Sequence, residues 1–321
     1  MMKEKIKSLA IQVIQMEAEA LKNLTASVND DFVASVELIL KTKGRVVVTG
    51  IGKSAIIAQK IVATFNSTGT PAIFMHAADA IHGDLGIIQH DDLVICLSKS
   101  GNTPEISVLV PFLKMSGNKM IAIVGNPNSF LAREADFVLD CRIEKEACPN
   151  NLAPTCSSTA QLVMGDALAS CLIVRRGFTP QDFAKYHPGG ILGKRLYTKV
   201  NDLSKYNEVP QVNENDSIKT VIVEISGKYL GVTAVVKEKK VVGAITDGDL
   251  RRMLEKNESL DKLTAADIMT KNPKKIHYQA LAVEALNLMK KMNITNLFVV
   301  NDNDEYIGVI HLHDIIKEGI Y

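Results

Sequence analysis

Two short segments of this 321-residue chain share one design, in which an apolar, β-branched run ends in a loop of glycine and hydroxyl residues before a helical pattern begins. The segments are residues 46–54, VVVTGIGKS, and residues 93–105, LVICLSKSGNTPE. Such a run is typical of a buried strand that leads into a helix N-terminus, where free backbone N–H groups attract anions. Two such segments in one chain predict a phosphorylated small molecule at the carboxyl edge of a parallel sheet.

Charge, length and cysteine content limit the partners and the compartment. The chain carries 37 basic and 36 acidic side chains without a basic stripe, which argues against a nucleic-acid partner. The charged start, MMKEKIK, lacks the apolar segment of a signal peptide, and no apolar run reaches the roughly 18 residues that a membrane span needs. The five cysteines form no C-x-x-C motif, which favours reduced thiols in the cytoplasm over disulfides or structural zinc.

Strand and helix patterns alternate through the first part of the chain. Helical spacing over residues 3–24 predicts a first helix, and a second predicted helix runs from a cap at residues 29–31 to about residue 41. Both precede this alternation. The predicted strands are residues 45–49, 71–75, 92–97, 119–124 and 136–141, and the predicted helices are residues 54–66, 103–116, 128–134 and 157–175. Repeated strand–helix units predict an α/β fold with a doubly wound parallel sheet flanked by helices.

The last third of the chain contains an internal repeat. Residues 209–254 and 272–318 both read as a proline-bearing start, an amphipathic helix, two hydrophobic strands and a short helix. Paired modules of this kind bury one shared face. We therefore expect three domains, at residues 1–200, 201–268 and 269–321, with a polar boundary near residues 201–210.

The first glycine loop does not fit the common nucleotide motifs. It ends in Gly-Lys-Ser, but a P-loop needs a glycine where this chain has Val47. The relaxed dinucleotide pattern Gly50-x-Gly52-x-x-Ala55 lacks the acidic residue that should end the next strand. No cofactor is therefore predicted, and Lys53 and Ser54 remain as candidates for a direct contact with the ligand.

The second loop places three hydroxyl residues, Ser98, Ser100 and Thr103, around a glycine at a helix start. A plain N-cap needs one hydroxyl, so the cluster favours a phosphate site over capping alone. Glu105 lies one turn into the helix, where it is either a favourable acid near the N-terminus or a carboxylate that faces the ligand.

Further polar residues follow the other predicted strands. His76 and His82 lie after the second strand, where they either have a structural role or contact the ligand, and the pair could also hold an adventitious zinc ion. Glu146 follows the fifth strand, also at the ligand edge. The hydroxyls of residues 155–159 then open the long helix, either as a third phosphate contact or as a simple cap.

These motifs resemble a known family. The two loops are similar to those of the sugar isomerase (SIS) domain, and the repeats resemble paired cystathionine-β-synthase (CBS) modules. An SIS domain followed by two CBS modules resembles the D-arabinose 5-phosphate isomerases over nearly the whole chain. The most specific pieces are STGTP at 67–71, HGDLG at 82–86, EACP at 146–149, LAPT at 152–155, His187-Pro188, and TDGDLRR at 246–252.

The resemblance implies an enzyme that interconverts D-ribulose 5-phosphate and D-arabinose 5-phosphate, and whose product feeds 3-deoxy-D-manno-octulosonate and lipopolysaccharide synthesis. It also implies a homotetramer. The catalytic residues carried over by motif are Lys53, Glu105, Glu146 and His187, and the carried-over substrate contacts are Gly69, Thr70, His76 and His82. His76 is in addition the position of an inhibitory zinc ion in the family.

The resemblance also implies a regulatory site in the CBS pair. A nucleotide-binding CBS module has Thr or Ser three residues before its ribose-binding Asp, as Thr246 and Asp249 have here. The second copy has His311 before Asp314. A nucleotide or nucleotide-sugar ligand is one expectation, and a pair that only holds subunits together is the other.

A working mechanism distributes the chemistry among these residues. Glu146 is the hypothesised general base, and Lys53 stabilises the enediolate. His187, from the same or a neighbouring subunit, moves protons to the sugar oxygens, and Glu105 is a second acid, base or sugar partner. The phosphate is assigned to Ser54, Ser98, Ser100 and Thr103. The alternatives are a non-catalytic sugar-phosphate sensor and an isomerase for a different sugar phosphate.

Overall fold

Five parallel strands form the centre of the first of two units, which ends at Tyr186, while the second begins at His187. The computed structural model describes residues 2–255 and 262–321. The strands lie in the order β2-β1-β3-β4-β5, and every pairing between them is parallel. They are β1 (Val46–Gly50), β2 (Ala72–His76), β3 (Leu93–Ser98), β4 (Met120–Val124) and β5 (Phe137–Asp140). Each predicted strand is confirmed to within one residue.

Helices cover both faces of this sheet, which confirms the doubly wound fold. They are α1 (Met2–Leu24), α2 (Asp30–Lys41), α3 (Lys53–Ser67), α4 (Ala77–Ala80), α5 (Pro104–Met115), α6 (Phe130–Glu134), α7 (Cys156–Arg176) and α8 (Pro180–Tyr186). In β1, Val46 and Val48 pack with α2, α3 and α7, whereas Val47 packs with α5 and α6 on the other face. Because both faces are buried, the strands read as continuous apolar runs rather than alternating ones.

The order of the strands fixes where a ligand can bind. The chain runs from β1 to β2 on one side and then returns to β3 on the other side of β1. The carboxyl ends of β1 and β3 therefore border the crevice in which open α/β sheets bind their ligands. The glycine- and hydroxyl-containing loops after β1 and β3 both border this crevice.

The long helix α7 brings a third element to the crevice. Its length and apolar composition would suffice to cross a membrane. However, Ala160, Met164 and Leu168 pack into the core against α3 and the sheet, which identifies α7 as a core helix. A side chain at Gly165 would overlap Ile61 of α3, so this glycine allows the close approach of the two helices.

The second unit confirms the internal repeat. The first copy consists of β6 (Gln211–Asn213), α11 (Ile218–Lys228), β7 (Val232–Lys237), β8 (Lys240–Thr246) and α12 (Asp247–Glu255). The second consists of β10 (Lys275–His277), α14 (Ala282–Met292), β11 (Asn296–Val300), β12 (Tyr306–His311) and α15 (Leu312–Lys317). The remaining elements of this unit are α9 (Ile191–Tyr197), α10 (Val200–Ser204), α13 (Ala265–Ile268) and β9 (Thr270–Lys271).

The two copies pack on one another through a shared core. Val232 and Ala244 of the first copy meet Phe298 and Val309 of the second. The unit begins before the expected boundary at residue 200, because α9 contacts α14 and the Lys194 ammonium lies 2.8 Å from the Glu318 carboxylate. Residues 191–200 thus pack with the second repeat.

The five cysteines are free thiols in the described structure. Cys96, Cys141 and Cys156 are buried, whereas Cys148 and Cys171 are half-buried, so the expectation of buried thiols holds for three of the five. Burial raises the pKa of Cys96 to about 12, which makes that thiol unreactive at neutral pH.

Candidate active site

A cavity of about 300 Å³ lies at the carboxyl ends of β1 and β3. Three segments line it: the loop after β1, the loop after β3, and the first turns of α7. The lining residues are Ile51, Lys53, Ser54, Leu97, Ser98, Lys99, Ser100, Thr103, Pro154, Ser157, Ser158 and Gln161. A larger cavity of about 610 Å³ lies between α1 and residues 140–145, but it contains none of the three loops that converge at the sheet. The chemistry therefore points to the smaller cavity.

The loop after β1 requires glycine at two positions. Gly52 has a φ of +59°, and a side chain at Gly50 would lie 3.0 Å from the carbonyl carbon of Ser54. Lys53 and Ser54 are the first two residues of α3, so the tight turn delivers both to the cavity. The Ser54 hydroxyl donates to Oε1 of Gln161 at 3.1 Å. Both residues line the cavity, and their contact with a ligand stays a prediction.

The loop after β3 is held together by its own hydroxyls. The Ser98 Oγ accepts from the Gly101 N–H at 3.0 Å and lies 2.8 Å from the Thr103 Oγ1. Gly101 has a φ of +66° and packs against Ser129, where a side chain would clash. Ser100 accepts from the Asn102 N–H at 3.2 Å. All three predicted hydroxyls thus line the cavity, and Ser98 also shapes the loop.

Glu146 anchors the start of α7. Its side chain is buried, and its Oε2 accepts from the N–H groups of Thr155 at 2.8 Å and Ser157 at 3.2 Å. The hydroxyl groups of the same two residues donate to the carboxylate as well. The Thr155 side chain does not cap the helix, so the carboxylate satisfies free N–H groups at its first turn.

Lys99 completes the set of donors around Glu146. Its Nζ lies 2.6 Å from the Glu146 Oε1. Burial alone would raise the pKa of Glu146, but the Lys99 ammonium, the Ser157 hydroxyl and the two N–H groups outweigh it and lower the pKa to about 2. A carboxylate with this pKa and five donors is a weak proton acceptor, so the geometry favours an anchoring role over the hypothesised general base.

Other predicted residues lie outside this cavity. Glu105 is half-buried in the first turn of α5, two residues after the cavity residue Thr103. His76 ends β2, opposite Gly50 in the pairing of β1 and β2, and His82 is exposed in the following turn. His187 is the first residue of the second unit.

The structure places Gly69 and Thr70 at the opposite edge of the sheet from this cavity. They precede β2 and therefore lie at the amino edge, where Gly69 O accepts from Arg176 Nη1 at 2.9 Å. The Thr70 hydroxyl accepts from the same guanidinium, at the far end of α7 from the cavity. Within one chain, a ligand in this cavity does not reach these two residues.

The zinc site expected at His76 has too few ligands. The nearest acidic partner is Asp79, whose Oδ2 lies 3.8 Å from the His76 Nδ1. Residues 2–255 and 262–321 contain no group of three or more His, Cys, Asp or Glu side chains that could hold a metal ion. Two side chains of one chain do not make a zinc site, so no chemical step is assigned to a metal.

Sequence reasoning missed two residues of the cavity, Lys99 and Gln161. Gln161 is 2% exposed, and its Nε2 has no hydrogen-bond partner within the described parts of the chain. It lies four residues after Ser157 and thus on the same face of α7, a spacing that would have identified it once the helix start was assigned to the site. Lys99 stands between two assigned serines, but its distant partner Glu146 gives no local signal.

The second unit has a cavity of its own, of about 480 Å³. Thr246 and Asp249 line it together with Lys274 and Asn296 of the second copy. The Asp249 Oδ2 accepts from the Thr246 hydroxyl at 2.7 Å. In the second copy, the Asp314 Oδ2 instead accepts from the Asn207 side-chain amide at 2.7 Å and from the His311 N–H at 3.0 Å.

Comparison with protein families divides the chain into the same two units. The SIS domain model matches residues 39–171, and the CBS domain model matches residues 200–256 and 265–321. Together the matched segments cover more than half of the chain, and they coincide with the sheet of the first unit and the two repeats of the second.

Relatives match nearly the full length. The chain is 46% identical to "Arabinose 5-phosphate isomerase KdsD" of Pseudomonas aeruginosa over 313 residues, covering 97% of this chain and 96% of that protein. It is 44% identical to the protein of the same name from Escherichia coli K12, over 96% of this chain and 94% of that one. A solved structure from Escherichia coli CFT073, in complex with arabinose 5-phosphate, is 40% identical, with a TM-score of 0.56, and covers 58% of this chain and 98% of that one.

The lowered pKa of Glu146 predicts a specific acid sensitivity. Its folded-state pKa of about 2 lies below its ordinary value of 4.5, so its stabilising contribution is present above pH 4.5 and is lost as the pH falls toward 2. Between pH 6 and pH 3, wild-type protein should lose about 2 kcal/mol more of its free energy of unfolding than Glu146→Gln. Urea denaturation at the two pH values measures this difference.

Glu134→Gln is the matched control, because Glu134 pairs with Lys114 at the same distance of 2.6 Å but on the surface. Its pH dependence should differ from that of wild type by less than about 0.5 kcal/mol. If Glu146→Gln and wild type lose stability in parallel, the carboxylate is not held as described.

Proposed function

This chain belongs to the arabinose 5-phosphate isomerase family, and from that premise we propose that it interconverts D-ribulose 5-phosphate and D-arabinose 5-phosphate. The proposal rests above all on one observation: a cavity at the switch point of the sheet is lined by Lys53, by six hydroxyl residues and by the start of α7. Near full-length identity of 46% to a relative of that name supports it. So does the 40% identical structure in complex with arabinose 5-phosphate.

The reaction moves one proton between C1 and C2 of the open-chain sugar through an enediol. The two carbons exchange oxidation states within one molecule, so the balance requires no external oxidant or reductant. Lys53 stabilises the negative charge that develops on the enediolate oxygen. The phosphate is held by Ser54, Ser98, Ser100 and Thr103, and this remote binding energy orients the reacting carbons.

Proton transfer falls to groups other than Glu146. Five donors hold its carboxylate, and its pKa of about 2 leaves it a poor base, so it acts by fixing the start of α7. We assign the acid and base steps to Glu105, in the first turn of α5, and to His187. Both residues match motifs of the family, and either one could take the acid step while the other takes the base step.

The isomerase is tested by deuterium incorporation. In deuterium oxide, the purified protein should convert ribulose 5-phosphate into arabinose 5-phosphate that carries deuterium at C2, as read by proton NMR. Lys53→Met should lower kcat by about 10²–10³, because it removes the charge that stabilises the enediolate. Lys114→Met, on the surface pair with Glu134, should retain full activity.

Full activity of Lys53→Met would remove this lysine from the mechanism. Tight binding of the sugar phosphate by wild type without any exchange would instead identify a sensor. Exchange with a hexulose phosphate, but not with the pentose phosphate, would assign the cavity to a different substrate.

We propose that the cavity of the second unit binds a nucleotide or nucleotide sugar. Its volume of about 480 Å³, the Thr246–Asp249 pair and the neighbouring Lys274 support this ligand class. Asp314 of the second copy is a weaker candidate, because it is not among the described residues that line this cavity, whereas Asp249 is.

AMP serves as the probe for this site. Asp249→Ala should weaken AMP binding in calorimetry by at least about tenfold, the value of one hydrogen bond to a charged group. Asp314→Ala removes the equivalent carboxylate of the other copy and should stay within about twofold of wild type. Equal losses in the two variants would contradict the assignment to the first copy.

We also propose a cytoplasmic homotetramer whose product supplies 3-deoxy-D-manno-octulosonate for lipopolysaccharide. The relatives named KdsD from Pseudomonas aeruginosa and Escherichia coli support the pathway. The position of Gly69 and Thr70 at the amino edge supports the assembly, because their expected substrate contacts would need another copy of the chain. Light scattering should give a mass of four 35.0 kDa chains, and a monomer in solution would overturn the tetramer.

A further inference from the structure

Lys99 is fixed at both ends, although none of the motifs assigns it a function. Its backbone carbonyl accepts from the Gly125 N–H at 3.0 Å. A side chain at Gly125 would lie 2.8 Å from that carbonyl oxygen, so the close approach of the two loops requires glycine. At the other end, the ammonium lies 2.6 Å from the Glu146 Oε1. A lysine this constrained has already lost most of its side-chain freedom before a ligand arrives.

The ion pair is strongly asymmetric. The Glu146 side chain is 0% exposed and is held by Thr155 and Ser157, whereas the Lys99 side chain is 47% exposed and lines the cavity. The carboxylate is therefore the fixed anchor, and the ammonium is the group that it presents to the cavity. Surface pairs, such as Lys114 with Glu134, lack this division between a buried and an accessible partner.

The Lys99 ammonium has N–H donors that Glu146 does not use. A lysine ammonium carries three N–H donors. Glu146 is the one hydrogen-bond partner of Lys99 Nζ among residues 2–255 and 262–321, which leaves two donors for a ligand. The cavity beside it is lined by Ser98, Ser100 and Thr103, the residues assigned to the phosphate.

The charge balance gives the same result. A phosphate dianion in this cavity would approach the buried, ionised Glu146 carboxylate, and like charges in a poorly solvated site repel strongly. Lys99 stands at that carboxylate and neutralises it. Lys53 also lines the cavity and no acidic residue of the described chain does, so the lining then carries a net positive charge.

We propose that Lys99 is a second cationic binding residue of the active site, held by the buried Glu146 carboxylate so that its remaining N–H donors bind the phosphate group of the substrate. This inference rests on the proposed isomerase function for the identity of the sugar, but the predicted phosphate contact does not depend on turnover. Lys53 acts at the reacting carbons, and Lys99 acts at the phosphate.

The experiment measures the affinity for inorganic phosphate by ³¹P NMR titration at pH 8, where phosphate is a dianion. Lys99→Met should raise the dissociation constant about tenfold, the loss expected for one charge-assisted hydrogen bond. Lys99→Arg keeps the charge and should stay within about threefold of wild type. Lys114→Met breaks an ion pair of equal length and similar exposure and should leave phosphate affinity unchanged.

Removing Lys99 leaves a buried carboxylate without its cation, so Lys99→Met alone could fail to fold. A second comparison avoids this difficulty. It compares the phosphate affinity of Glu146→Gln with that of the double variant that carries both Glu146→Gln and Lys99→Met. In the double variant, both charges of the pair are removed. If Lys99 contacts phosphate directly, the double variant should still bind it at least about fivefold more weakly than Glu146→Gln. If Lys99 acts only through Glu146, the difference vanishes and the proposal fails.

Steady-state kinetics separate this proposal from the isomerase assignment. Lys99→Met should raise KM for arabinose 5-phosphate more than it lowers kcat, whereas Lys53→Met lowers kcat. Normal wild-type turnover together with equal phosphate affinities of folded Lys99→Met and Lys114→Met would overturn the proposal and leave the isomerase intact. Absence of wild-type turnover together with a tenfold affinity difference would overturn the isomerase and leave the phosphate contact intact.

Discussion

The buried carboxylate of Glu146 holds the site together. It accepts from the first turn of α7, from two hydroxyl groups and from Lys99 in the loop after β3, so one side chain joins the start of α7 to a loop that is 47 residues away in sequence. Removing such a group costs more than any single hydrogen bond, because the N–H and hydroxyl of the buried Ser157 would lose their acceptor together with the donors of Thr155 and Lys99. The cavity therefore owes its shape to an ion pair that sits beside it.

The fold was predictable because burial on both faces leaves a strong signal. Val46, Val47 and Val48 must each be apolar when α2, α3 and α7 cover one face and α5 and α6 the other. The repeat was predictable for a similar reason, since each copy needs the same apolar face to pack on its partner. The start of the second unit at His187 was not predictable. Helix α9 joins the repeats through Lys194 and through its contact with α14, and no local sequence pattern encodes these contacts.

The site was predictable where chemistry follows directly from a strand end. Lys53, Ser54 and Ser98 come immediately after β1 or at the end of β3, and the parallel topology then brings them together. The same rule assigns residues 69–70, which precede β2, to the amino edge, although the family motif links them to the substrate. The geometry argues against Glu146 as the base for a different reason: sequence shows that this residue is near the ligand edge but not how many donors surround it.

Buried side-chain atoms without hydrogen-bond partners lie mostly near the two cavities of the described chain. Gln161 lines the first cavity, Thr49 lies next to the glycine turn that leads into it, and Asn296 lines the cavity of the second unit, whereas Asn118 precedes β4 at the amino edge. Each such atom costs about 1–3 kcal/mol, a cost that a stable core normally avoids. Proteins tolerate it mainly where function requires it, so the first three mark the same two places that the loops and the repeats identify.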